Sequence, residues 1–362
     1  MKKLFDQLPL RQFPELDSLR FLSIFLVVVH HQFFTQNSVL SWFGSHGWVG
    51  VDIFFVLSGF LITSLLLKEL ESTGGINLRL FWFRRMLRLW PSWLLAIALS
   101  TAMVYVVGAE RPVLREKLSV YGWHYILHVG NYSQAFFGKL HNFFGIYWSL
   151  AVEEHFYLVW PLLLCFVRGA RWRLLCMLAL VVLPVLVRAH HLTHGFEKAQ
   201  VTVMTHARFD ELMLGCLLAV GFPRLPTLRP TAEGLLTATM LLLFYLGLHV
   251  CKPSPIPALY ALSYTLIGVA SVLLIVIALR GGARGLRRVL KSPWLARLGV
   301  LSYGVYLIHL QTNALVFALL ERYPVIRDEN LVALVNLALP FLPAFVMFRY
   351  VDAYFARLRP KH

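Results

Sequence analysis

The sequence predicts an all-α fold, a polytopic transmembrane bundle of about ten helices forming a single membrane-embedded domain over residues 1–362. Three observations carry this. Hydrophobic residues make up 58% of the chain and charged residues only 14%, with a mean hydropathy of +0.67, whereas soluble domains carry about 25% charged residues. Apolar runs of about 20 residues, the length that crosses a hydrocarbon core, recur from one end of the chain to the other. The basic residues sit in short segments between these runs and form no single stripe. The net charge of +16 therefore reflects membrane sidedness rather than nucleic-acid binding.

In chain order the spanning segments are expected near 18–36, 47–67, 89–108, 147–167, 173–189, 208–221, 232–250, 258–279, 298–320 and 331–351, the sixth being the shortest. With the N-terminus assigned to the cytoplasm, the inside segments hold 22 Lys and Arg and the outside loops 8. That excess predicts that both termini are cytoplasmic. The other four, Arg20, Arg188, Arg208 and Arg349, lie in or at the ends of helices. Lys2 and Lys3 resemble the start of a signal peptide, but polar residues up to Arg20 and the lack of a small-residue cleavage site argue for a retained anchor. The outer connection 109–146 contains YGWHYILHVGNY, read as an interfacial or re-entrant helix. Cys165, Cys176, Cys216 and Cys251 suggest neither a disulfide framework nor a metal cluster. No repeat, low-complexity tract or appended soluble domain is evident.

The first spanning segment, LDSLRFLSIFLVVVHHQFF, places Arg20 and His31 inside apolar sequence. Eleven residues separate them, and at about 100° per residue they return to within about 20° of one helix face. His30 falls about 80° from Arg20 and points elsewhere. By the topology His31 lies about 16 Å beyond Arg20, past the midplane toward the outside. Ionisable groups are costly in hydrocarbon, so two on one stripe mark a candidate functional site. The competing reading is an interfacial arginine and a snorkelling histidine.

Further charged groups stand in or beside apolar runs. Asp52, in GWVGVDIFFVLSGFLIT, either orients His31 as carboxylates orient catalytic imidazoles or sits as an acid favoured by its helix dipole. Ser58-Gly59 in the same run suits close helix packing. Arg85 and Arg88, one turn apart in FWFRRMLRLWP, make a fork suited to phosphates, against the plainer reading of a positive-inside flank. Glu153 and Glu154, in YWSLAVEEHFYLVWPLLL, need a cation, a hydroxyl or His31 to neutralise them. Arg208 and Asp210 are expected to form an internal ion pair. His190, His191 and His194 lack a carboxylate or cysteine to complete a metal set, so no metal is expected. No Gly-rich phosphate loop, G-x-S-x-G elbow, or His followed after four residues by Asp is present, which excludes nucleotidase, ordinary serine esterase and soluble glycerolipid acyltransferase chemistry.

In order, these segments resemble the acyltransferase-3 family of integral membrane O-acyltransferases over essentially the whole chain. The Arg, ten residues, His pattern falls on Arg20 and His31. GVDIFFVLSGFLIT matches the second-helix motif, Arg85-Met86-Leu87-Arg88 the paired arginines, WSLAVEEHFYLVWP the fourth-helix motif and LSYGVYLIHL a late-helix signature. The resemblance implies transfer of an acyl group, often acetyl, from a cytoplasmic acyl-CoA to a hydroxyl of a carbohydrate or glycolipid outside or within the membrane, here the bacterial inner membrane. It also implies the stand-alone form, without a C-terminal hydrolase-like domain. On this reading Arg20, Arg85 and Arg88 bind the phosphates of the donor, acetyl-CoA in the first instance. His31 is the general base or becomes a transient acyl-histidine. Asp52 or Glu153 holds its tautomer or positions the acceptor, and Trp148, Glu154 and Tyr157 line the substrate site. The rival reading is a proton-coupled or anion transporter built on the same buried groups. It lacks a repeated half or matched broken helices.

Overall fold

The computed structural model describes residues 13–32, 38–107, 112–282, 285–322 and 329–360. Helices follow one another along these: α1 (Pro14–His30), α2 (Ser38–His46), α3 (Val49–Thr73), α4 (Leu78–Val107), α5 (Pro112–Ile126), α6 (Gly130–Phe137), the single turn α7 (Asn142–Gly145), α8 (Trp148–Phe166), α9 (Ala170–Thr193), α10 (Lys198–Val203), α11 (Phe209–Gly221), α12 (Pro230–Tyr245), α13 (Pro257–Arg280), α14 (Leu286–Leu290), α15 (Pro293–Val300), α16 (Ser302–Arg322), α17 (Glu329–Ala338), α18 (Phe341–Val346) and α19 (Ala353–Arg357). No strand occurs among the described residues. The molecule is an all-α polytopic bundle and an integral membrane protein.

Among the described residues eight segments are long and apolar enough to cross a membrane: 49–73, 78–106, 142–166, 170–193, 230–251, 257–280, 302–320 and 331–357. The other two expected spans are helical but shorter, 17 residues in α1 and 13 in α11. The C-terminal part of the first expected span, 33–36, lies outside the described residues. The last span is not one regular helix. Pro340 and Pro343 remove backbone donors, and the chain passes from α17 through α18 and a π-helical stretch over Met347–Asp352 before α19.

The chain divides into two units, one of Met1–Arg20, Val51–Leu78 and Val152–Arg297, the other of Phe21–Gly50, Arg79–Ala151 and Leu298–His362. Both are assembled from segments interleaved along the sequence, so no linear linker separates them.

In the first unit α3 and α11 cross almost backbone to backbone. A Cβ at Gly59 would strike the Leu212 carbonyl oxygen, and one at Gly215 the Val56 carbonyl oxygen. The expected close packing at Ser58-Gly59 thus has its partner glycine on α11, and small residues at such a crossing let main chains touch. The Trp160 indole donates to Thr63 Oγ1 at 2.9 Å, tying α8 to α3. α3 ends at Gly74, whose φ of +78° is open to glycine and strained for side-chain-bearing residues.

In the second unit the described part of the connection, 112–146, is mostly helical. α5 and α6 meet at His128, which has a φ of +56° and stacks on Trp93 at 4.8 Å. Trp93 lies fourteen residues back from the end of α4 at Val107, about 21 Å along its axis. Trp93 in turn packs edge-on to Tyr147 at 4.7 Å. The Tyr147 hydroxyl donates to the Leu307 carbonyl at 3.0 Å and lies 3.0 Å from Ser100 Oγ. The Gln311 amide sits on both hydroxyls, 2.7 Å from Ser100 and 2.9 Å from Tyr147. This buried polar knot joins α4, the start of α8 and α16.

Candidate active site

α1 is almost wholly apolar after Arg20, and His31 follows its last residue. In the second unit the His31 ring meets His309, the eighth residue of α16, with centroids 4.9 Å apart. One contact fixes the His309 tautomer. Its Nδ1 lies 2.9 Å from the Tyr306 carbonyl, which can only accept, so Nδ1 carries the proton and Nε2 is a bare lone pair. His309 Nε2 lies 3.2 Å from His31 Nδ1. His31 Nδ1 also lies 2.8 Å from the Val27 carbonyl. Both neighbours are acceptors, so His31 carries its proton on Nδ1 and shares it between them. Its Nε2 is the unprotonated nitrogen and has no partner among the described residues. The sequence alone did not single out His309 as a site residue, although LSYGVYLIHL contains it. A histidine in the middle of an apolar helix was the available signal, the same one that marks His31.

His30 turns away, as the helical phase requires: its Nδ1 meets the Gly44 carbonyl of α2 at 2.6 Å.

In the first unit Glu153 is reached by two hydroxyls. Ser58, the tenth residue of α3, donates to Oε1 at 2.7 Å, and Tyr157, one turn along α8, donates to Oε2 at 3.0 Å. Glu154 is half-buried beside it and Tyr157 is buried. Trp148, the first residue of α8 and part of the second unit, is half-buried.

Asp52 is 1% exposed and ion-paired with Arg208, which also donates from Nε to Glu211 at 2.9 Å. The guanidinium lies 4.0 Å over the Tyr264 ring. Lys252 donates to the Tyr264 hydroxyl, and burial, with Arg208 nearby, pushes its ammonium well below the ordinary lysine range. The expected Arg208–Asp210 pair is not formed. Arg208 stands just before α11 and turns to Asp52 and Glu211, while Asp210 takes both terminal nitrogens of Arg188, at 2.9 and 2.7 Å. Arg188 further donates to the Ala261 and Ala207 carbonyls and to Thr265 Oγ1 at 2.8, 2.5 and 3.0 Å. The pair is completely buried and pins α9, α11 and α13 together. A lone arginine near the end of an apolar helix was the only sequence signal for it.

The arginines expected to hold the donor stand at helix ends and surfaces. Arg20 pairs with Asp17 at 2.7 Å, Arg85 lies 5.8 Å over the Phe81 ring, and Arg88 is exposed. His191 and His206 approach to 3.0 Å, but no group of three or more metal-ligating side chains exists among the described residues. All four cysteines are free.

The chain matches the acyltransferase domain model over residues 13–349 and belongs to that family. Among curated proteins it is similar to the peptidoglycan O-acetyltransferase OatA of Listeria monocytogenes, at 29% identity over 94% of this chain and 55% of that one. It is also similar to the O-acetyltransferase OatA of Staphylococcus aureus, at 33% identity over 59% of this chain and 35% of that one. The chain spans about half or less of the length of the curated relatives it matches. No solved structure shows significant similarity to it.

Proposed function

We propose that the protein transfers an acetyl group from acetyl-CoA, taken from the cytoplasmic side, to a hydroxyl of a cell-wall carbohydrate at the outer side of the membrane. The observation that carries this is the His31 imidazole, whose Nδ1 proton is held by Val27 and His309 and whose Nε2 is a bare lone pair. Nε2 takes the proton of the acceptor hydroxyl as its oxygen attacks the thioester carbonyl. The C–S bond then breaks, the thiolate leaves, and the imidazolium returns the proton to sulfur. The tautomer-holding role expected for Asp52 or Glu153 falls to Val27 and His309. Asp52 then serves as the counter-ion of Arg208. Glu153, whose carboxylate is already oriented by Ser58 and Tyr157, positions the acceptor. The names of the relatives support the acetyl group and the glycan.

Three outcomes test the parts. Glu153→Gln keeps the shape and removes the charge, so turnover should fall by about 10²-fold with melting temperature and donor binding nearly unchanged. A loss that merely follows a drop in melting temperature would return Glu153 to a structural role. The double variant Arg85→Ala/Arg88→Ala should weaken coenzyme A binding in calorimetry by tenfold or more, because charge-assisted contacts to phosphate contribute about 1.5–3 kcal/mol each; unchanged binding rejects the donor site. For topology, a membrane-impermeant thiol reagent applied to sealed cells should label Ser41→Cys and Gln200→Cys but not Gly282→Cys. Labelling of the last would reverse the orientation.

A further inference from the structure

Among the buried side chains of the second unit, two asparagines leave their whole amides unused. Asn313 on α16 is 5% exposed and Asn336 on α17 is 1% exposed. Neither the amide nitrogen nor the carbonyl oxygen of either has a hydrogen-bond partner. An orphaned buried amide costs about 1–3 kcal/mol for each unsatisfied group, so each of these amides calls for a partner. Every other polar side chain that we have described on this stretch of α16 is engaged: His309 with His31, and Gln311 with Ser100 and Tyr147.

α17, which carries Asn336, packs on α16, which carries Asn313. Asn313 is also four residues beyond His309, on the same helix face and about 6 Å further along it. The Asn313 amide therefore stands one turn from the imidazole that holds His31.

We infer that Asn313 and Asn336 form the subsite that binds the acceptor sugar, their amides exchanging hydrogen bonds with its hydroxyl or acetamido groups. An asparagine amide presents one acceptor and two donors side by side. A sugar, whose hydroxyls both donate and accept, fills that pattern, whereas a phosphate supplies only acceptors and an acyl chain neither. This inference rests on the acyl-transfer reading given above and specifies where the acceptor lies.

The test uses the full-length protein in nanodiscs, with radiolabelled acetyl-CoA and a muramyl-peptide fragment of peptidoglycan as acceptor probe. Asn313→Leu and Asn336→Leu fill the same space without polar atoms. Each is expected to raise the acceptor KM by about tenfold, the equivalent of one or two lost hydrogen bonds, and to leave unchanged both the donor KM and the slow hydrolysis of acetyl-CoA without acceptor. Melting temperatures should hold or rise, since an orphaned buried amide has been removed. Unchanged acceptor KM in both variants overturns the subsite, as does an equal loss of donor hydrolysis and transfer. Asn313→Asp serves as the control for packing: it keeps the volume and the acceptor oxygen, loses the donor, and should give an intermediate KM. Failure of the acyl-transfer reading would look different, since wild-type protein would then acetylate no acceptor at any concentration.

Discussion

His31→Ala is expected to abolish acyl transfer, by at least about 10³-fold, while the protein still inserts and melts as wild type. A positioned general base contributes about 10²–10⁴-fold, and removing this one also removes the imidazolium that would reprotonate the leaving thiolate. His30→Ala is the matched control. The two histidines are adjacent and their rings lie 5.0 Å apart, so charge, depth and helix propensity change alike. They differ in what they face: His30 is bonded to the Gly44 carbonyl and His31 to Val27 and His309. His30→Ala should keep most of the activity. His309→Ala should fall between them, at about tenfold loss in kcat with little change in KM, because it frees the His31 tautomer without removing the base. If His30→Ala and His31→Ala exchange phenotypes, the assignment of the base is wrong.

The largest effect on stability is expected at Asp210. Its two oxygens take both terminal nitrogens of Arg188, and Thr265 donates to it at 2.6 Å. With both side chains wholly out of water, Asp210→Ala leaves a guanidinium that can neither deprotonate nor reach solvent. Breaking such a pair from one side costs about 3–5 kcal/mol, which corresponds to a fall in melting temperature of about 5–15 °C for a chain of this size. Replacing both partners with apolar residues, Arg188→Met/Asp210→Leu, should recover much of that loss, since no charge is then stranded. A melting temperature unchanged in Asp210→Ala, followed by scanning fluorimetry in detergent, would show that the pair is not needed for the packing of α9, α11 and α13.

The helical, membrane-spanning character was legible because mean hydropathy and run length are properties of the sequence itself. Eight segments among the described residues meet those criteria, and α1 and α11 are shorter, at 17 and 13 residues. The phase of a helix was legible in part: the adjacent His30 and His31 meet different carbonyls, Gly44 and Val27. What stayed hidden is pairing across the chain. Nothing within HARFDELMLGC says that Arg208 reaches Asp52, 156 residues away, or that Asp210 reaches Arg188. A local reading joins the nearest opposite charges and so chose a pair that the fold separates, Arg208 going to Asp52 and Glu211 and Asp210 to Arg188. For the same reason the partner of His31 was sought among carboxylates and is instead His309, 278 residues on. A neutral imidazole lone pair holds a proton in place without bringing a second charge into the membrane interior, where charge is costly.

The most direct measurement is the stoichiometry of one turnover in purified protein reconstituted into vesicles, with acetyl-CoA outside or inside and a peptidoglycan fragment on the opposite face. The thiol released and the ester formed are counted together in wild type and in His31→Ala. The expected result is one free thiol for each acetylated hydroxyl in wild type, only when donor and acceptor lie on opposite faces, and neither product in His31→Ala at an unchanged melting temperature. Ester formation undiminished in His31→Ala would contradict the role given to this imidazole.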